Sequence, residues 1–163
     1  SPPTEHIDML DLATREVNRI VWATGDLKGP RLSPDGRWII FIAKVGTHQW
    51  QAFVAPVSQK KLLGSSDWVP VTPVSDSLFF AFWSAHNDLI YTLSSHASGG
   101  NLRFLDAQRL DAETKHPIGA SMPVYEFDET LVPGMDPVWN TVSVDGNRII
   151  MELGSVNTDI WIK

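Results

Sequence analysis

Cysteine is absent from the 163 residues, which removes disulfides, thiolate nucleophiles and cysteine-ligated zinc together. Cations are scarce: 13 Lys and Arg stand against 19 Asp and Glu, a formal net charge of -6. Binding to polyanions relies on clustered Lys and Arg that release counterions, so nucleic acid is not expected as a partner. Long apolar runs are missing as well. The longest, Trp38–Ala43 and Leu78–Trp83, reach about six residues, against the roughly 20 of a bilayer-crossing helix, and membrane insertion is not expected. Ser1-Pro2-Pro3-Thr4 has neither the basic nor the apolar region of a signal peptide and reads as a processed or excised start.

What the chain does contain is apolar residues (43%), seven Trp, seven Phe, eleven Gly and eleven Pro. That composition supports a core of its own, built from many short elements joined by turns. A repeat organises them. Arg31–Phe41, Phe82–Thr92 and Thr141–Met151 align without gaps, with Ser33, Ser84 and Ser143 in register, then Gly36, Asn87 and Gly146, then a largely apolar triplet. Gly and Asn tolerate positive φ, so each copy reads as a tight hairpin between two short strands. Strand-like segments at Gln49–Val57, Asn101–Leu110 and Thr158–Ile162 supply a third strand per unit. Asp11-Leu12-Ala13-Thr14-Arg15 matches Asp111-Ala112-Glu113-Thr114-Lys115, a turn between third and fourth strands in which Asp accepts from amides two residues on.

Spacings of 51 residues from Ser33 to Ser84 and 59 from Ser84 to Ser143 suit a four-stranded propeller blade. The expected fold class is therefore all-β: a partial β-propeller of about three four-stranded antiparallel blades, half of a six-bladed ring. The grid places an incomplete blade at 6–22, blades at 29–73 and 79–127, and a last blade at 137–162. The competing reading is a β-sandwich with coincidental turns.

Leu32-Ser33-Pro34-Asp35-Gly36-Arg37 followed by Trp38-Ile39-Ile40-Phe41 resembles the WD40-like PD40 repeat of TolB-type β-propellers. The second and third copies depart from it, with Ala85-His86-Asn87 and Val144 in place of the motif residues. Ala107–Gly119, continuing to Pro123-Val124-Tyr125, is similar to the last-but-one blade of propellers at the C-terminal end of larger bacterial proteins, and Thr158–Ile162 to their final strand. The resemblance implies a scaffold for protein contacts, with an extracytoplasmic or periplasmic compartment slightly favoured.

Residues that could carry chemistry are dispersed. His6, His48, His86, His96 and His116 form no metal-ligand spacing, and His86 reads as a turn residue. Ser94, Ser95 and Ser98 with His96 and Asp88 lack a nucleophile elbow at Gly99-Gly100. Glu126, Asp128 and Glu129 could act as acid and base or bind calcium, but the spacing is that of a solvated acidic loop, and Asp145-Gly146-Asn147 is a turn. No catalytic residue, metal or cofactor is expected. Most tryptophans should fill space between blades. In Phe79–Trp83, alternation sends Phe79, Ala81 and Trp83 one way and Phe80 and Phe82 the other, so both faces need cover. The expected role is a non-catalytic protein-interaction or sensory module of a larger regulator or receptor. The alternatives are a hydrolase or lyase site in the channel mouth, or an accessory propeller of a peptidase. Arg31, Phe79, Met135 and Asp136 are the candidate channel-rim residues. His6, Asp8, Asp159 and Trp161 mark a candidate joint where two copies would complete six blades.

Overall fold

The computed structural model describes residues 4–58, 61–95, 104–127, 131–133, 142–146 and 148–155. β1 (Glu5–Leu10) and β2 (Val17–Ala23) form an antiparallel pair. A four-stranded sheet follows in chain order, β3 (Leu27–Leu32), β4 (Trp38–Lys44), β5 (Trp50–Pro56) and β6 (Val69–Pro70), with one turn of 3-10 helix at Ser65–Asp67 before its last strand. A second has the same plan: β7 (Leu78–Trp83), β8 (Leu89–Ser94), β9 (Phe104–Arg109) and β10 (Met122–Glu126). β11 (Leu131–Pro133) pairs with β14 (Leu153–Ser155) around the hairpin of β12 (Ser143–Asp145) and β13 (Arg148–Ile150). Meandering four-stranded antiparallel sheets stacked face to face make the chain a partial β-propeller.

The stacking explains the unbroken apolar run of β4. Ile39, Phe41 and Ala43 pack against Ile7, Ile20 and Val21 of the first hairpin, while Ile40 and Ile42 pack against Leu78, Ala81, Trp83 and Ile90 of the next blade. A strand covered on both faces has no position for a polar residue. Trp68 sits edge-on to Phe41 at 5.0 Å and to Phe53 at 5.4 Å, filling the first seam. Phe82, Leu93, Leu105 and Phe127 continue the core toward Val142, Val144 and Ile149.

The repeated serine has a defined role. Ser33 Oγ donates to Asp35 Oδ1 at 2.6 Å and accepts Trp38 N–H at 2.9 Å. Ser84 Oγ likewise donates to Asp88 at 2.7 Å and accepts Leu89 N–H at 3.1 Å. Both serines are buried, and Gly36, Asn87 and Gly146 all take positive φ, 69°, 61° and 55°. The expected two-strand hairpins are present, but the first two close more widely than a tight turn, Ser33 N–H bonding Trp38 O and Ser84 N–H bonding Leu89 O. The third pairs Asp145 directly with Arg148. In the first two loops the serine hydroxyl bridges the acid and the amide across the turn, whereas in the third Asp145 accepts from the Arg148 guanidinium at 2.6 Å.

The aspartate turns also match one another. Asp11 Oδ1 accepts the amides of Ala13 and Thr14 at 2.8 and 2.9 Å, and Asp111 Oδ1 those of Glu113 and Thr114 at 3.1 and 2.8 Å. Arg15 and Lys115 then take φ of 63° and 60°. These amide contacts hold both carboxyls below the usual carboxylate range. One expectation needs correcting: a bulge between Leu78 and Phe80 puts Phe79 with Phe80 and Phe82 rather than with Ala81 and Trp83, because the extra residue resets alternation.

Candidate binding surface on the inner strands

β3 and β7 are the first strands of their blades, and each carries a bulge. In β3 Lys28 pairs with Ile42 and Arg31 with Ile40, with Gly29 between them at φ 61°. Residues three apart on a regular strand point to opposite faces. Here the extra residue brings Lys28 and Arg31 to the same face as Ile40 and Ile42, toward the next blade. Glycine is what allows the backbone to take this path.

Lys28 Nζ lies 3.8 Å from the centre of the Trp50 ring, 5.8 Å from that of Phe79, and 3.4 Å from the Leu78 carbonyl. An ammonium between aromatic faces is a cation–π arrangement, and burial lowers its pKa. Arg31 Nη1 donates to the Val142 carbonyl at 3.4 Å, and burial lowers the pKa of this guanidinium too. The Arg31 carbonyl accepts Trp83 Nε1–H at 3.2 Å, tying the two blades together. Arg31, Phe82, Trp83 and Val142 help to line a cleft of about 210 Å³. Chemically, the surface offers the half-buried Lys28 ammonium beside apolar walls, suited to holding a carboxylate with an aromatic or aliphatic neighbour.

Of the rim residues expected from sequence, Arg31 and Phe79 stand on adjoining inner strands; Met135 and Asp136 lie outside the described residues. Lys28 and Trp50 were not anticipated. The signal was Gly29-Pro30 inside an otherwise strand-like run, which marks a bulge. At the expected joint, His6 Nε2 is 3.3 Å from Asp8, and Asp8 is 3.2 Å from Arg19 on β2; Asp159 and Trp161 lie outside the described residues. So do His96, Ser98, Asp128 and Glu129. His86 is in the β7–β8 turn and Glu126 on β10. Asp88 and Ser94 flank β8 from opposite ends, separated by a six-residue strand of about 20 Å, so they form no dyad. Among the described residues no group of three or more His, Asp or Glu could hold a metal ion.

No family model matches the chain, and no curated protein matches it. Among solved structures, a puromycin hydrolase mutant complexed with PGG superposes on 79% of this chain at 18% identity and a TM-score of 0.52. An acylaminoacyl peptidase from Pyrococcus horikoshii covers 94% at 14% identity, with a TM-score of 0.39. The chain spans 19% of the first structure's length and 30% of the second's. The first likeness agrees with the propeller architecture read from the sheets.

Proposed function

We propose that this propeller arc is a non-catalytic binding module that takes an acidic segment of a protein partner on its inner strands. The Lys28 ammonium carries the reading: it is half-buried between Trp50 and Phe79, with a backbone carbonyl as its hydrogen-bond acceptor. Desolvating a cation against rings and a neutral acceptor costs free energy that an incoming carboxylate would offset. Membership of the TolB-type propellers, suggested by Leu32–Arg37, belongs to this reading.

A second reading is an accessory propeller of a peptidase, which the superposition on part of a puromycin hydrolase favours. In both, the arc binds and does no chemistry. The test is titration of the chain with acetylated hexapeptides, acidic and neutral, followed by tryptophan fluorescence. Acidic peptides should bind, and Lys28→Met should weaken them at least about five-fold, the loss of one charge-assisted contact. Equal binding of acidic and neutral peptides would overturn the proposal. Release of p-nitroaniline from aminoacyl anilides by the chain alone would overturn its non-catalytic part.

A further inference from the structure

The repeat lets two seams be compared position by position: the first, between the first hairpin and the β3–β6 sheet, and the second, between the β3–β6 and β7–β10 sheets. Ser33 corresponds to Ser84, and the pairing of Phe41 with Phe53 then matches that of Thr92 with Asp106. One strand further out, Val69 coincides with Met122 and Pro70 with Pro123. In the first seam Phe41, Ala43, Phe53, Ala55 and Trp68 are all apolar and belong to one cluster. Their equivalents in the second are Thr92, Ser94, Asp106, Gln108 and Ser121. All five are polar, and all five line one cleft of about 350 Å³ between the sheets. Stability alone favours the apolar set, because a polar group withdrawn from water costs free energy unless it is matched. A seam that breaks the packing rule at every equivalent position has the character of a site.

We propose that the second seam binds a neutral polyhydroxylated ligand of monosaccharide size, a ring sugar or an open-chain polyol. The volume lies near the lower end of the range for small-molecule sites. Thr92 and Asp106 pair directly across β8 and β9, which sets a hydroxyl beside a carboxylate. Gln108 is 7% exposed, and its Nε2 donates to the carbonyls of Arg109, Ile118 and Gly119 at 3.0, 3.3 and 3.4 Å. These contacts orient the amide, with Oε1 as its remaining acceptor. Adjacent ligand hydroxyls can donate to the carboxylate and the amide oxygen, while Thr92 and Ser94 both give and accept. Val71 and Leu78 supply an apolar wall for the C–H side of the ligand. The wall at Thr72 is fixed in advance: Gln51 Nε2 donates to the Thr72 carbonyl at 2.7 Å, and Thr72 Oγ1 accepts Ala52 N–H at 3.0 Å. Charge favours a neutral ligand over an amine, since Lys28 donates to the Leu78 carbonyl at 3.4 Å and its ammonium offsets the Asp106 carboxylate for anything entering the cleft.

Saturation-transfer difference NMR on the full chain, with methyl glucoside, methyl mannoside, methyl galactoside, N-acetylglucosamine and sorbitol at tens of millimolar, should show transfer to at least one probe. A glycoside binding more tightly than sorbitol would support the proposal and identify a ring sugar; the reverse would support it and identify an open-chain polyol. Asp106→Asn should weaken the binding at least about five-fold, the loss of one charge-assisted contact. Ser121→Trp, at an exposed position, sets an indole where Trp68 stands in the first seam and should abolish the transfer with an unchanged circular dichroism spectrum. No transfer to any probe would overturn the proposal, as would transfer that keeps its full strength in Ser121→Trp. Tighter binding of ethylammonium than of every neutral probe would overturn it too, making the cleft an amine site.

Discussion

Replacing Ser33 by Ala should destabilise the chain by about 2–3 kcal/mol. The hydroxyl is buried and makes two bonds, donating to the Asp35 carboxylate at 2.6 Å and accepting Trp38 N–H at 2.9 Å. Asp35 keeps Arg37 N–H at 3.1 Å and the Arg37 side chain, so its loss is partial. Trp38 N–H has no such substitute, and a buried donor left without a partner costs about 1–3 kcal/mol. The charge-assisted bond to Asp35 adds to this. For a domain of this size each kcal/mol lowers Tm by about 2–4 °C, giving an expected drop of about 4–12 °C. Differential scanning calorimetry with urea titration would measure both quantities. Ser84→Ala should cost a similar amount, and the double variant the sum within about 0.5 kcal/mol, since the two turns lie in different blades. A loss below about 0.5 kcal/mol for Ser33→Ala would refute the view that the repeated serine closes the turn.

The positive-φ position should respond with opposite signs in the two blades. Gly36→Ala should lose about 1–2 kcal/mol in urea unfolding and Gly36→Asn much less, because Asn87 holds the same φ; Asn87→Gly, which removes a buried Oδ1 lacking a partner, should raise stability by a few tenths. Acid should weaken the fold through the aspartate turns. Asp111 titrates below its ordinary value because of the Thr114 and Glu113 contacts. Its contribution is therefore present above the unfolded carboxyl pKa of about 3.9 and is lost as pH falls through the lower folded value. Asp111→Asn keeps the amide acceptor, so its urea midpoint should fall less between pH 5 and 2 than that of the unsubstituted chain; equal slopes would refute the assignment.

Where the sequence could be read, the chemistry was local. A serine, an acid and a positive-φ residue within a few positions close the first two loops through their own side chains, and Asp11 and Asp111 build their turns from neighbouring amides. The inner-strand surface was legible only in part, because its geometry depends on two bulges. Arg31 and Phe79 stood out as rim residues, yet the shift at Gly29 puts Lys28 beside Arg31, and the shift after Leu78 moves Phe79 to the face of Phe80 and Phe82. Trp50 reaches Lys28 only through the β4–β5 pairing. The pairing of β11 with β14 across an intervening hairpin had no local signature at all.

The placement of the core in the seams has a mechanical consequence. Since β4 gives one side to the first hairpin and the other to the following blade, little apolar surface would stay buried in a blade standing alone, and neighbour coupling carries the stability. Force applied at the N-terminal end should first peel away β1–β2, which is fastened to its neighbour by the Ile7–Val21 cluster and the Glu5 carboxylate on Leu27 N–H. The rupture would expose one whole face of the next sheet, so each step should weaken the one after it, and an optical trap would record a short cascade rather than evenly spaced events.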